Sequence, residues 1–368
     1  MPTSRAGSAR WLWNEAITTV LAAKAGFFPL SGQLELVDGL WSADIARQAV
    51  WLSGLVPFEQ AEAILQEIGQ VHISRSSIWR RSQIWGAKFK ELEAAERAKA
   101  NALPEQWQPP SREVAPDRRM GVAMDGMMVH VRKEGWKELK IGAVFDIEVR
   151  LGKDAHTHEP VQMAHAVHNS YVAHLGGSEV FGEMVFAEAR RRGWEQAQDT
   201  QVVADGAVWI WNQADLHFGR SRQLVDWYHA DEHLADAAKL FKGEGTAAFT
   251  LWFNNRETAL YQGHAERIAC ELEQAANELP NAAEGLRREA GYFREHDHRM
   301  NYLEMREENW VIGSGMAEGE AKQYQARLCG PGMRWSRPHL QNFIPVRTAI
   351  LSGRFAERWQ AAQNLPPV

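Results

Sequence analysis

Three carboxylates in this chain stand in settings that suit phosphoryl chemistry. Asp125 lies in VAMDGMMV, between two apolar runs, and Asp205 lies in VVADGA, where a short apolar run ends. Carboxylates from adjacent strands can hold divalent ions ~3.5–4 Å apart, the arrangement that two-metal phosphodiester cleavage uses. Glu318, in IGSGMAEGEAK, is the third candidate, and Glu320 is its rival. Residues two apart on a helix do not share a face, so only one of the two can serve. Each carboxylate also has an ordinary reading. Asp-Gly between apolar runs is a hairpin-turn signal, an aspartate after a strand is common in a helix-entry loop, and Glu318 with Lys322 has the spacing of an exposed i,i+4 pair. A different pattern overlaps a later segment: His229-Ala-Asp-Glu232-His233 matches H-x-x-E-H, in which two histidines one turn apart share zinc and the glutamate acts as base. Fourteen histidines make a chance match easy. His156 with His158, and His296 with His298, read as loop or surface histidines.

The elements that must position these groups can be read from periodicity. From Gly39 to about Ala100 the pattern is helical. Pro57 suits the start and Gly69 the end of a first helix, with Ala61, Ile64, Leu65 and Ile68 on one stripe. A second helix starts near Ser74 to Ser77 and carries Arg75, Arg80 and Arg81 among Ile78, Trp79 and Trp85. Over about 57–86 this is a helix-turn-helix pattern, whose second helix can present early polar residues to base edges. Residues 101–117 are rich in proline and polar residues and read as a linker. Three strand-like runs follow, at 121–132, 136–150 and 160–176, suited to an antiparallel meander. A helix opens at Ser178 and closes at Gly193. TQVVADG is a short strand followed by a helix, and RQLVDWYHADEHL repeats that plan. Three meandering strands followed by helix, strand, helix, strand and helix form an α/β fold with a ribonuclease-H-like mixed sheet. Its first and fourth strands are neighbours, which would seat Asp125 beside Asp205. Residues 240–310 read as a helical insertion. The expected division is a helical DNA-binding module over 1–100, the linker, a first part of the catalytic core over 118–239, the insertion, and a last part over 311–368 with a basic tail.

Composition narrows the function classes. With 368 residues, 45% of them hydrophobic, the chain can bury a large core. Two cysteines, Cys270 and Cys329, exclude a disulfide scaffold and a cysteine-rich zinc module. No apolar run reaches the ~20 residues of a membrane span, so a cytoplasmic protein without membrane contact is expected. The formal charge of −6 is regional. Residues 75–90 hold five Lys/Arg and no acid, and residues 321–358 hold seven against Glu357 alone; residues 266–308 hold eleven acids and six arginines. Both basic segments could neutralise phosphates, or could equally be solvated helix faces. Trp209, Trp211 and Trp227 read as core. Trp310 and Trp335 read either as core or as platforms for an unpaired base.

VAMDGMMV, VVADGAVWIW, LVDWYHADEHL and above all WVIGSGMAEGEAKQYQARLCGPGMRWS resemble bacterial insertion-sequence DDE transposases of the ISKra-type branch, related in plan to the Mutator-like enzymes. The likeness covers roughly residues 28–358, and its most specific parts are the GSGxxE block with downstream GMRWS and an Asp-x-x-His pair. It implies Asp125, Asp205 and Glu318 as a catalytic triad binding Mg²⁺ or Mn²⁺, with Asp226 and His229 as an accessory pair. The partners implied are double-stranded DNA at transposon ends and target, a homo-oligomer assembled on paired ends, and a nucleoid location. Arg75, Arg80 and Arg81 would read sequence, while Lys322, Arg327, Arg334, Trp335 and Arg337 would hold DNA near the site. Members of the branch often carry a cysteine-rich zinc module at the amino end, and this chain has no cysteine before Cys270. A catalytically inactive or domesticated DNA-binding relative is therefore the alternative expectation, with a zinc peptidase a third.

Overall fold

The computed structural model describes residues 41–102, 117–153 and 160–365, together with the backbone of three two-residue strands at Thr18–Thr19, Gly26–Phe27 and Leu36–Val37. Most of the expected linker, and His156 and His158, lie outside the described residues. The amino-terminal helices are α1 (Ala43–Leu55), α2 (Phe58–Glu67) and α3 (Arg75–Ala100). The strands and helices of the central unit then follow as β1 (Arg119–Val131), β2 (Gly135–Lys153), β3 (Pro160–His174), α4 (Ser178–Arg191), β4 (Asp199–Ala204), α5 (Val208–Phe218), β5 (Arg222–Val225) and α6 (Trp227–Lys242). Next come α7 (Ala247–Tyr261), α8 (Ala265–Glu278), α9 (Ala283–His296) and α10 (Tyr302–Glu307), and finally α11 (Gly315–Leu328), α12 (Arg337–Leu351) and α13 (Phe355–Gln363).

The strands form one mixed five-stranded sheet in the order β3-β2-β1-β4-β5. β1, β2 and β3 are antiparallel neighbours, whereas β4 runs parallel to β1 and β5 parallel to β4. The meander needs only tight turns. The parallel strands need helical crossovers, which α4 and α5 supply. One face of the sheet buries Met120, Val122 and Met124 against Phe181 and Val185 of α4 and Ile210 and Ala214 of α5. On the other, Met127, Val129, Val131, Leu139 and Ile141 pack against Tyr324 and Leu328 of α11 and Leu340, Phe343 and Ile344 of α12. The stretch 240–310 carries α7 to α10, and the apolar stripes of α8 and α9 (Ile268, Leu272, Leu286, Phe293) extend the first of these cores. Among the described residues no helix is long and apolar enough to cross a membrane.

Ser74 caps α3 as its position suggests, accepting from Ser77 N at 3.4 Å, but the helix runs 26 residues instead of ending near residue 86. Gly86 does not break it. A Cβ there would collide with the Asn342 carbonyl of α12, so the glycine lets two helix backbones approach closely. The expected stripe on α2 also shifts: Ala61 and Leu65 are buried with Ala49, Ile73 and Ile78, while Ile68 is 81% exposed. Ile68 follows the last helical turn, so the 3.6-residue spacing no longer governs where it points.

The amino-terminal helices share their core with the carboxyl-terminal ones. Trp85 stacks on Trp359 at 3.7 Å, Phe89 meets Phe355 at 5.8 Å, and Ala46 and Val50 of α1 join Val346 and Ala349 in the same cluster. Lys88, counted among the basic residues of 75–90, is buried and donates to the carbonyls of Ala362 and Leu365. Beside this seam Arg354 and Arg358 bind Glu96 of α3, and Arg354 also reaches Glu188 of α4. Burial pushes the Glu93 carboxyl up to about 7, against the pull of Arg358 and with the push of Glu96. A carboxyl raised on folding contributes stability below its ordinary value of 4.5 and loses it as pH rises through 7. Glu93→Gln should therefore match the wild type below that ordinary value and become the more stable protein above pH 7; urea unfolding across this range tests the crossover, and parallel pH profiles for the two proteins would contradict it.

Candidate active site

The β1–β4 ladder ends at the pair Met124 and Ala204. Asp125 and Asp205 are therefore the next residues on two neighbouring parallel strands, whose backbones run ~4.8 Å apart. Asp125 is not in a hairpin turn. It lies within β1, paired with Ile141 of β2. One oxygen of Asp125 accepts from Gly126 N at 2.6 Å, and one of Asp205 from Ala207 N at 2.8 Å. A Cβ at Gly206 would meet the Tyr292 ring and, at 3.1 Å, His296 Nε2, so glycine is what allows the Asp205 turn to pack under α9. Both carboxylates are half-buried. Burial pushes the Asp125 carboxyl up, and the charges of Asp205 and Glu318 add to it. Burial likewise raises Asp205, with Glu138 and Asp226 adding. His229 is the positive neighbour that both share, drawing each back down.

Asp226 fixes how the third carboxylate arrives. Fully buried, it caps α6 by accepting from Tyr228 N at 2.6 Å and His229 N at 3.1 Å, and its other oxygen accepts from Ser314 N, just before α11. Trp227 N donates to Ile312 O at 2.9 Å and Gln201 Nε2 to Val311 O at 2.6 Å, so the returning chain is held along the sheet. α11 then starts beside Asp125. Glu318, in its first turn, is 35% exposed at the side chain and stands 3.8 Å from Lys322. Glu320 faces inward: it is 2% exposed, and neither carboxylate oxygen has a hydrogen-bond partner. Burial raises its carboxyl well above the ordinary range, and Asp125 adds to the shift.

Asp125, Asp205, Glu318 and Glu320 offer only hard oxygen donors; His229 draws both aspartates down, and Lys322 stands 3.8 Å from Glu318. That chemistry fits Mg²⁺ or Mn²⁺. Among the described residues no three His, Cys, Asp or Glu side chains already converge tightly enough to hold a metal ion.

The H-x-x-E-H pattern does not form a shared ligand pair. His233 Nδ1 binds Glu289 of α9 at 2.6 Å and its ring stacks on Tyr292 at 3.6 Å, while His229 lies 4.0 Å from Glu232 and faces the aspartates. His296, expected at the surface, is buried against Trp211 and the Asp205 turn. Tyr292 escaped the sequence reading altogether. Its hydroxyl is buried without a partner, and the charge of Asp205 raises its pKa further after burial. The spacing of Glu289, Tyr292 and His296 on one helical face was the available signal.

The DNA-binding candidates divide sharply. Arg75 and Arg80 are exposed, Arg75 lying 3.9 Å from Glu59, and Arg81 lies over Trp41 at 5.0 Å. Lys322 and Arg334 are exposed. Arg327 and Trp335 are not DNA contacts. Arg327 is 3% exposed, donates to Ser53 O at 2.8 Å and sits over the rings of Phe58 and Phe343. Trp335 is 6% exposed, donates to Leu328 O and stacks on Phe343. Trp310 is buried too, with Arg119 and Arg222 over its ring. Arg337 is tied to Glu134 at 2.6 Å, and Arg347 is buried, donating to Gly54 O. For Arg327, Arg337 and Arg347 a long-range carbonyl or carboxylate partner, invisible from local sequence, outcompetes solvent.

No protein-family model matches the chain, and no curated protein matches it. Arg327→Ala should lower stability by about 3 kcal/mol, the cost of orphaning buried carbonyls and losing its packed stem. Arg334→Ala should stay within about 0.5 kcal/mol, as exposed substitutions do. Equal urea midpoints for the two variants would contradict these placements.

Proposed function

We propose that the chain is a DDE transposase, cutting DNA at the ends of its element and joining the freed 3′ ends to a target. The observation that carries this reading is the register that sets Asp125 beside Asp205, with α11 delivering Glu318 to the same edge. The strand order β3-β2-β1-β4-β5 agrees with a ribonuclease-H-like core, and in α/β sheets sites gather at the carboxyl ends of parallel strands. Asp125, Asp205 and Glu318 would hold Mg²⁺ or Mn²⁺, which when bound supplies positive charge to the scissile phosphate and activates the attacking water. The chain's own groups do the rest. Asp226 holds α6 and α11 in register, so that His229 and Glu318 face the strand carboxylates together. His229 lies close enough to both aspartates to draw their carboxyls down against the push of burial. Exposed Arg75 and Arg80 on α3 suit groove contacts, and Lys322 and Arg334 suit backbone contacts.

Wild-type protein with Mn²⁺ should nick supercoiled plasmid, and Asp125→Asn and Asp205→Asn should remove that activity while keeping the wild-type far-ultraviolet dichroism. Mn²⁺ should also raise the melting temperature of the wild type and shift Asp125→Asn less. Nicking by Asp205→Asn at the wild-type rate would refute the assigned site.

A further inference from the structure

β1 does not stop where β4 does. After Met124 its strand partner is β2 alone, and Gly126–Val131 with Gly135–Lys140 project as a two-stranded ribbon past the carboxyl edge of the sheet. The ribbon is anchored. Val131 bridges Trp335, Arg132 N donates to Trp335 O at 2.8 Å, and Arg337 binds Glu134. These contacts bring exposed Arg334 alongside exposed Arg132 and Lys133 at the ribbon tip, and the Arg337 pair neutralises the tip's single acid.

One face of this arm is aromatic and open. Trp136 is 62% exposed and Met128 51%, and the His130 ring stands edge-on to Trp136 at 5.5 Å. His130 and Trp136 are register partners, as are Met128 and Glu138. Glu138 is one of the charges that raises Asp205, so this face runs directly into the Asp205 side of the site. A large indole left in water, on a ribbon whose tip carries exposed Arg132 and Lys133 and whose face leads through Glu138 toward Asp205, matches the surface that binds unpaired nucleic acid by stacking and charge.

We propose that the β1–β2 ribbon is a DNA-contacting arm on which Trp136 stacks against an unpaired base of the strand leaving the site. The proposal rests on the DNA-cleaving reading above and adds to it a partner strand and a contact point. Five strand residues separate Asp125 from His130, about 17 Å at the rise of a β-strand. The odd count sets the two side chains on opposite faces of β1, so a DNA strand joining them passes over the carboxyl edge of the sheet beside Asp205. DNA advances 3.4 Å per nucleotide. The stacked base therefore lies about five nucleotides from the scissile phosphate, and Arg132, Lys133 and Arg334 flank it to hold phosphates.

The test uses the full chain and two fluorescein-labelled DNAs, a blunt duplex and the same duplex with a single-stranded overhang, read by anisotropy. Trp136→Ala should bind the overhang DNA about tenfold more weakly, the scale of one base–aromatic stack, and should change affinity for the blunt duplex less. Trp136→Phe should recover most of the loss. Replacing Arg132 and Lys133 by Ala should weaken both DNAs and flatten the salt dependence by up to about two units of slope. Unchanged overhang affinity in Trp136→Ala overturns the arm, and if the wild type still nicks plasmid, the cleavage reading survives that failure. A wild type that binds neither DNA overturns both. A Trp136→Ala variant that loses self-association in sedimentation while keeping its DNA affinity also overturns the arm, because the face is then a contact between copies.

Discussion

A single buried carboxylate, Asp226, ties together parts of the chain that are 88 residues apart. It accepts the first free N–H groups of α6 and the N–H of Ser314 ahead of α11, donors that would otherwise be buried and unsatisfied. Hydrogen bonds to a charged acceptor are each worth about 1.5–3 kcal/mol, and losing the acceptor would strand all its donors at once. The whole helical insertion hangs between these two points. Its length can vary in principle without disturbing the sheet, because the chain leaves and returns at one fixed place. The candidate third carboxylate is positioned by this clamp and by the Trp227–Ile312 bond, not by the sheet alone.

Around that clamp the charges are sorted by depth. The carboxylates at the sheet edge lie close enough that Asp205 and Glu318 push the Asp125 carboxyl up while His229 draws it down. The arginines of the carboxyl-terminal segment are used differently. Arg327, Arg347 and Arg358 are buried, the first two donating to the carbonyls of Ser53 and Gly54 and the third to Glu96, and Arg354 is held by Glu96, Glu188 and Glu357. Their positive charge serves the seam between the first and last helices. A count of basic residues in a segment therefore overstates the charge it offers to a polyanion.

Much of this architecture is legible in local patterns. The strand runs and the helices that follow them are bounded by glycine, proline and polar turns, and apolar spacing alone marks which segment is which. Asp125 and Asp205 stand out for the same reason, as acids placed at or beside apolar strands. The errors have a common cause, which is contact between distant residues. The helix-turn-helix reading stops near residue 86, whereas α3 runs on to Ala100 with Gly86 set against the Asn342 backbone. Arg327 reads as a solvated cation until its partner, 274 residues away, is known. Glu318 and Glu320 differ in burial because of what α11 lies on, and two positions of spacing say only that they diverge. Tyr292 shares a helical face with Glu289 and His296, but that spacing marks only a common face and does not say that the Asp205 turn lies beneath it.

The stacked pair of Trp85 and Trp359 has a consequence in time. Synthesis runs from the amino end, and the partners are separated by most of the chain, so at ~5–20 residues per second α3 waits tens of seconds for the helix that completes its core. During that interval Trp85 and Phe89 have the early part of their core, Ala46 and Val50, but not Phe355 and Trp359, and the helix bearing Arg75 and Arg80 remains incompletely packed. A prematurely ended product would lack the carboxyl-terminal half of that core. Only a completed polypeptide presents the amino-terminal helices in final form.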